Sequence, residues 1–115
     1  MLLNAADKKL VGLEMDVMWV SVAGVDPVAL LAKYGSRVDL MHLKDVEKST
    51  AQRFDEGIPR TAFREVGKGR VDFPAVLRAA KKAGVKHYFV EQDQTAGNPL
   101  DSLRESFAYL DALSL

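Results

Sequence analysis

Three short apolar runs each end in side chains able to bind metal or move protons. VGLEMD (residues 11–16) ends in Glu14 and Asp16, VDLMHLKD (38–45) in His42, Lys44 and Asp45, and VKHYFVEQD (85–93) in Glu91 and Asp93. Side chains two apart on a strand share a face, so Glu14 projects with Asp16, His42 with Lys44, and Glu91 with Asp93. If the runs are neighbouring parallel strands, carboxylate, imidazole and carboxylate converge at their carboxyl ends, where α/β sheets and barrels carry their sites. Asp, His and Glu together suit a divalent ion of intermediate hardness: Mn2+, Co2+, Zn2+ or Mg2+.

Each of these residues also has an ordinary explanation. Acidic residues at strand ends often serve as turn or cap residues. An imidazole inside an apolar strand needs partners for both nitrogens, so His42 carries more weight than any single carboxylate. His87 stands at the entry of its run and reads as structural. Val66-Gly67-Lys68-Gly69-Arg70 offers backbone N–H groups and two cations to a phosphate, or is a turn entering the next helix; it lacks the Walker spacing. Trp19, just past Asp16, either walls a sugar pocket or covers the end of the sheet.

The elements that must hold these residues are legible around them. Asp26-Pro27 opens a helix whose apolar face is Val28, Leu31 and Tyr34 and which Gly35 stops. Asp72 and Pro74 open another, with Val76, Leu77, Ala79, Ala80 and Ala83 inward, Arg78, Lys81 and Lys82 outward, and Gly84 at its end. Asn98-Pro99 opens the last, along which Leu100, Leu103, Phe107 and Leu110 recur at helical spacing. Residues 46–71 are polar and carry Gly57, Pro59, Gly67 and Gly69, a span long enough to be functional or mobile. The order β–α–β–long loop–α–β–α implies an α/β fold of three parallel strands joined by right-handed crossovers, with both sheet faces covered. A flavodoxin-like binding domain suits the length but requires about five strands.

The chain has 115 residues, the size of one domain. Sixteen Lys+Arg balance sixteen Asp+Glu, which argues against a nucleic-acid or polybasic membrane-surface partner. The absence of cysteine excludes disulfides, thiolate nucleophiles and Cys-ligated metal. No apolar stretch approaches the roughly 18 residues that span a bilayer, and the start of the chain does not read as a signal peptide, so the cytoplasm is the expected compartment.

LEMDVMWVSVAGVDPVALLAKYGSRVDLMHLKDV, followed by EVGKGRVDFPAVLRAAKKAGVKHYFVEQD, resembles the C-terminal part of sugar phosphate isomerase/epimerase proteins. These belong to the xylose-isomerase-like TIM-barrel superfamily, which includes inosose dehydratase, hydroxypyruvate isomerase, ketohexose 3-epimerases and endonuclease IV. H-L-K-D, V-G-x-G-x-(I/V)-D and (V/I)-E-Q-D in this order carry the likeness. It implies a single partial (β/α)8 TIM barrel over residues 1–115, made of the last three strands, with residues 1–10 left from a preceding helix or linker. It also implies roles: Asp16 and His42 as metal ligands, and Glu91 as metal ligand and catalytic acid/base. Beside these, the residues themselves offer Trp19, Lys44, Lys68 and Arg70 as candidate substrate contacts. The implied function is a metal-dependent sugar (phosphate) isomerase or epimerase, moving a proton next to a carbonyl through a metal-stabilised enediolate. Its substrate would be a sugar or keto-polyol.

Two departures from the family pattern bear on this. Many members have His three residues after the metal-binding Asp, where this chain has Trp19. A complete barrel has eight strands and another glutamate on an earlier one. A three-stranded portion exposes unpaired edges, so the expectation is a homo-oligomer, a complementing N-terminal barrel segment, or a fragment of a longer protein. The alternative is therefore a non-catalytic fragment or oligomerising module, lacking the N-terminal strands and one metal-binding, acid/base Glu.

Overall fold

The computed structural model describes residues 2–114. In chain order the elements are α1 (Leu2–Ala5), β1 (Leu13–Asp16), α2 (Val17–Val22), α3 (Pro27–Tyr34), β2 (Val38–Leu43), β3 (Asp45–Val46), β4 (Phe63–Arg64), α4 (Phe73–Ala83), β5 (His87–Val90) and α5 (Pro99–Asp111). Single 3-10 turns lie at Gly35–Arg37 and Arg60–Ala62. Among the described residues no helix is long and apolar enough to cross a membrane.

β1, β2 and β5 form one parallel sheet with β2 in the centre. Asp16 pairs with His42 and His42 with Phe89, and the Glu91 N–H extends the ladder to the Leu43 carbonyl at 3.1 Å. The three carboxyl ends are therefore level. Met15, Met41 and Leu43 face a core closed by Leu31 of α3, Val76, Leu77 and Ala80 of α4, and fully buried Phe73. Tyr109 of α5 meets the Phe73 ring edge-on at 6.3 Å.

Only this face is covered. His42 and Phe89 alternate with the core residues and lie on the opposite, open face, where Phe89 is 48% exposed. The expectation of two covered faces is corrected here. The opposite face mixes polar and apolar side chains, and no helix among the described residues lies over it.

Local chemistry explains the helix starts. Asp26, Asp72 and Asn98 each accept a hydrogen bond from a first-turn N–H, and a proline follows within the first two helical positions. Gly84 ends α4 in the left-handed region at φ 86°. Gly35 caps the end of α3 as expected, but not in the left-handed conformation of Gly84. It is right-handed at φ −56° and runs on into the 3-10 turn. Its lack of a side chain serves packing, since a Cβ there would sit 2.5 Å from that of Ala83 where α3 meets α4. The buried Arg37 in that turn donates to the carbonyls of Leu3 (3.0 Å) and Val11 (2.9 Å), fastening the segment before β1.

The span 46–71 is more ordered than its composition implies. β3 and β4 pair antiparallel, and Val46, Ile58 and Ala62 join Met18 and Val22 of α2 in a second small core. The apolar helix α2, starting directly after β1, has no counterpart in the expected element order.

Candidate metal and acid/base site

Asp16 closes β1 and caps α2 at once. Its Oδ1 accepts from the Trp19 N–H at 2.9 Å, which turns Oδ2 toward the neighbouring strand. Oδ2 lies 3.9 Å from His42 Nδ1 and 3.9 Å from Lys44 Nζ. Glu91 Oε2 lies 2.9 Å from the same Nδ1 and 3.2 Å from Lys44 Nζ. One potential ligand atom each from Asp16, His42 and Glu91 lies within 4.8 Å of the others. Level strand ends and two-residue alternation thus bring together the three residues expected to meet.

Lys44 is the buried cation of the cluster, only 3% exposed. Its ammonium also meets Asp93 Oδ1 at 2.6 Å and stands 5.9 Å from the ring centroids of both Trp19 and Phe63. Burial alone would lower its pKa, but the hydrogen bonds to Asp93 and Glu91 and the field of Asp16 outweigh it and leave it raised. Burial raises the Asp16 pKa; the Trp19 N–H, Lys44 and His42 pull it back in part. Trp19 therefore walls the cluster through Lys44, and Phe89 meets the His42 ring nearly perpendicular at 6.0 Å.

Lys68 and Arg70 are not brought to this cluster. The Lys68 ammonium pairs with Glu105 of α5. The Arg70 guanidinium binds the Ser21 hydroxyl and carbonyl at the end of α2 and the Thr50 carbonyl. The N–H groups that could have cradled a phosphate are already spent. Gly67 and Gly69 donate to Asp45 Oδ2 at 3.1 and 2.8 Å, while Val46 and Val71 donate to Oδ1 at 2.9 and 3.1 Å. Asp45 is fully buried, and a Cβ on Gly69 would collide with its carboxylate and with the Val46 carbonyl. Burial raises the Asp45 pKa, and the four N–H bonds oppose that. Asp45, expected with the strand-end cluster, instead holds this knot of four N–H groups. A Gly-x-Gly amide nest needs an anion, and an internal one lay in the adjoining strand. On the other side of the His42 ring, Glu14 Oε1 lies 2.9 Å from Nε2, a pairing that only the strand register reveals.

A family model described as xylose isomerase-like TIM barrel matches residues 2–113. The chain belongs to this family. Among relatives of this xylose isomerase-like chain are inosose dehydratases from Lacticaseibacillus casei, 27% identical over 121 residues, and from Clostridium perfringens (strain 13), 29% over 119 residues. These alignments take in 96% and 95% of the chain but 41% and 40% of the relatives, so it spans about two-fifths of their length. A crystal structure of a sugar phosphate isomerase/epimerase from Parabacteroides distasonis superposes with a TM-score of 0.73 and 26% identity, over 96% of this chain and 33% of that one. A second from the same organism, at 0.74 and 24%, supports the fold alone. The fold of this family member is thus part of a TIM barrel: three parallel strands with their helices.

Proposed function

We propose that this chain carries the metal-binding and proton-transferring end of a sugar isomerase/epimerase-type site. The observation that supports it most is the meeting of Asp16, His42 and Glu91 at three adjacent strand ends. Two carboxylates and an imidazole fit a divalent ion such as Mn2+, Co2+, Mg2+ or Zn2+. When bound, such an ion supplies Lewis-acid polarisation of a substrate carbonyl. Glu91 carries the proton to and from the adjacent carbon. Lys44, held by Glu91 and Asp93, offers its ammonium to a substrate oxygen, and Trp19 shapes the wall beside it. Lys68 and Arg70 are engaged elsewhere and take no part in this reading. The substrate class is a small sugar, sugar phosphate or keto-polyol, in keeping with the inosose dehydratase and isomerase/epimerase relatives.

The test is proton exchange. With Mn2+ in D2O, the protein should introduce deuterium beside the carbonyl of at least one of a panel of ketoses, ketose phosphates and inososes, and Glu91→Gln should abolish it. No exchange above the protein-free rate with any of them contradicts the reading.

A second observation favours a narrower role for the chain by itself. β1 and β5 are edge strands and one sheet face is open, so the site lacks walls that further strands would supply. On this reading the chain binds metal without turnover until other copies or a complementing barrel segment cover that face. Sedimentation at micromolar concentration should show a dimer or larger; a monomer that turns substrate over unaided contradicts it.

A further inference from the structure

The two nitrogens of His42 have different neighbours. Nδ1 faces Glu91 Oε2 at 2.9 Å and Asp16 Oδ2 at 3.9 Å, whereas Nε2 faces Glu14 Oε1 at 2.9 Å. The candidate ligands thus meet on the Nδ1 side, and Glu14 stands behind the ring. We propose that Glu14 is a positioning residue: by accepting the Nε2–H it fixes the ring and leaves the Nδ1 lone pair for the metal. This rests on the reading of Asp16, His42 and Glu91 as a metal site.

The backbone makes the placement reproducible. Glu14 precedes Asp16 by two residues on β1 and shares its face, and it pairs with Leu40 while Asp16 pairs with His42. Its carboxylate therefore approaches the imidazole from one register step below the ligands. Phe89 restricts the same ring edge-on from β5. A neutral imidazole has one N–H and one lone pair, and the bond made by one nitrogen decides which tautomer the other presents. A carboxylate behind a ligating histidine sets that tautomer and strengthens the ligand, and losing such a partner costs about 10–100-fold in metal affinity. Glu14 is largely exposed, so its replacement removes the acceptor without opening a cavity.

The experiment has two readouts. Glu91 Oε2 stands as close to Nδ1 as Glu14 Oε1 to Nε2, so long-range 1H–15N spectra are taken at pH 8 on metal-free Glu91→Ala, which lacks that competing acceptor. They should show the His42 proton on Nε2, and adding Glu14→Ala should redistribute it. Zn2+ titration followed by the same spectra and by calorimetry should shift Nδ1, with affinity reduced about 10–100-fold in Glu14→Ala and partly restored in Glu14→Gln, which keeps an acceptor oxygen. The Co2+ absorption spectrum should keep its shape in Glu14→Ala; a changed shape would make Glu14 a ligand and overturn the positioning role. Unchanged tautomer and affinity in Glu14→Ala, or Zn2+ on Nε2, would also overturn it. If the wild type binds no Zn2+, the metal reading fails, and the metal-free spectra alone decide whether Glu14 sets the tautomer.

Discussion

Lys44 Nζ lies 2.6 Å from Asp93 Oδ1, and this ion pair joins the residue after β2 to the segment after β5. The same ammonium touches Glu91 and faces Asp16, so one buried cation offsets three carboxylates. Lys44→Met removes it. Because Asp93 and Glu91 remain partly solvated, the expected cost is about 1–2 kcal/mol rather than that of a fully buried pair. Urea unfolding at neutral pH checks it.

The pH dependence of that cost has a definite sign. The folded pKa of Lys44 is raised above its ordinary 10.5, so the folded state holds the proton more tightly than the unfolded chain. Its stabilisation is complete below 10.5 and is lost as pH rises through the higher folded value. The stability gap between wild type and Lys44→Met should therefore be flat to about pH 10 and then shrink. A gap that widens in alkali would contradict the ion-pair account.

Asp45 anchors the chain beneath the site. Asn at this position keeps one acceptor oxygen and turns an NH2 group toward backbone N–H donors, leaving two of four without a partner. Asp45→Asn should destabilise by about 2–4 kcal/mol, read by thermal or urea unfolding. It should also speed amide exchange at Gly67, Gly69 and Val71, while an exposed carboxylate such as Asp55 tolerates the same change.

Gly35 tests the packing of α3 on α4. In a roomy right-handed turn, Gly→Ala usually stabilises. Here the new methyl meets Ala83, so Gly35→Ala should cost about 1–3 kcal/mol. Ala83→Gly should relieve part of that cost, and a double-mutant cycle would show the coupling.

Much of this molecule is written locally. The three proline helix starts follow from a cap residue beside a fixed φ, and the convergence at the strand ends follows from two-residue alternation. Other features depend on distant partners. α2 escapes notice because five of the six residues in Val17–Val22 are apolar, packed toward the sheet and the β3–β4 pair, and Ser21 alone is too little polar face to mark its period. Lys68 and Arg70 looked like phosphate ligands because their partners, Glu105, Ser21 and Thr50, are 37, 49 and 20 residues away. Asp45 and Glu14 were visible as carboxylates; only the register and the fold of residues 66–71 show what each one holds.

Calorimetric titration of metal-stripped protein with Mn2+, run beside His42→Ala, tests most directly whether the three strand ends make one divalent-metal site. Saturable binding with a Kd on the order of micromolar, lost in His42→Ala, is the predicted result. Absence of binding in the wild type, or equal binding in the variant, would contradict it.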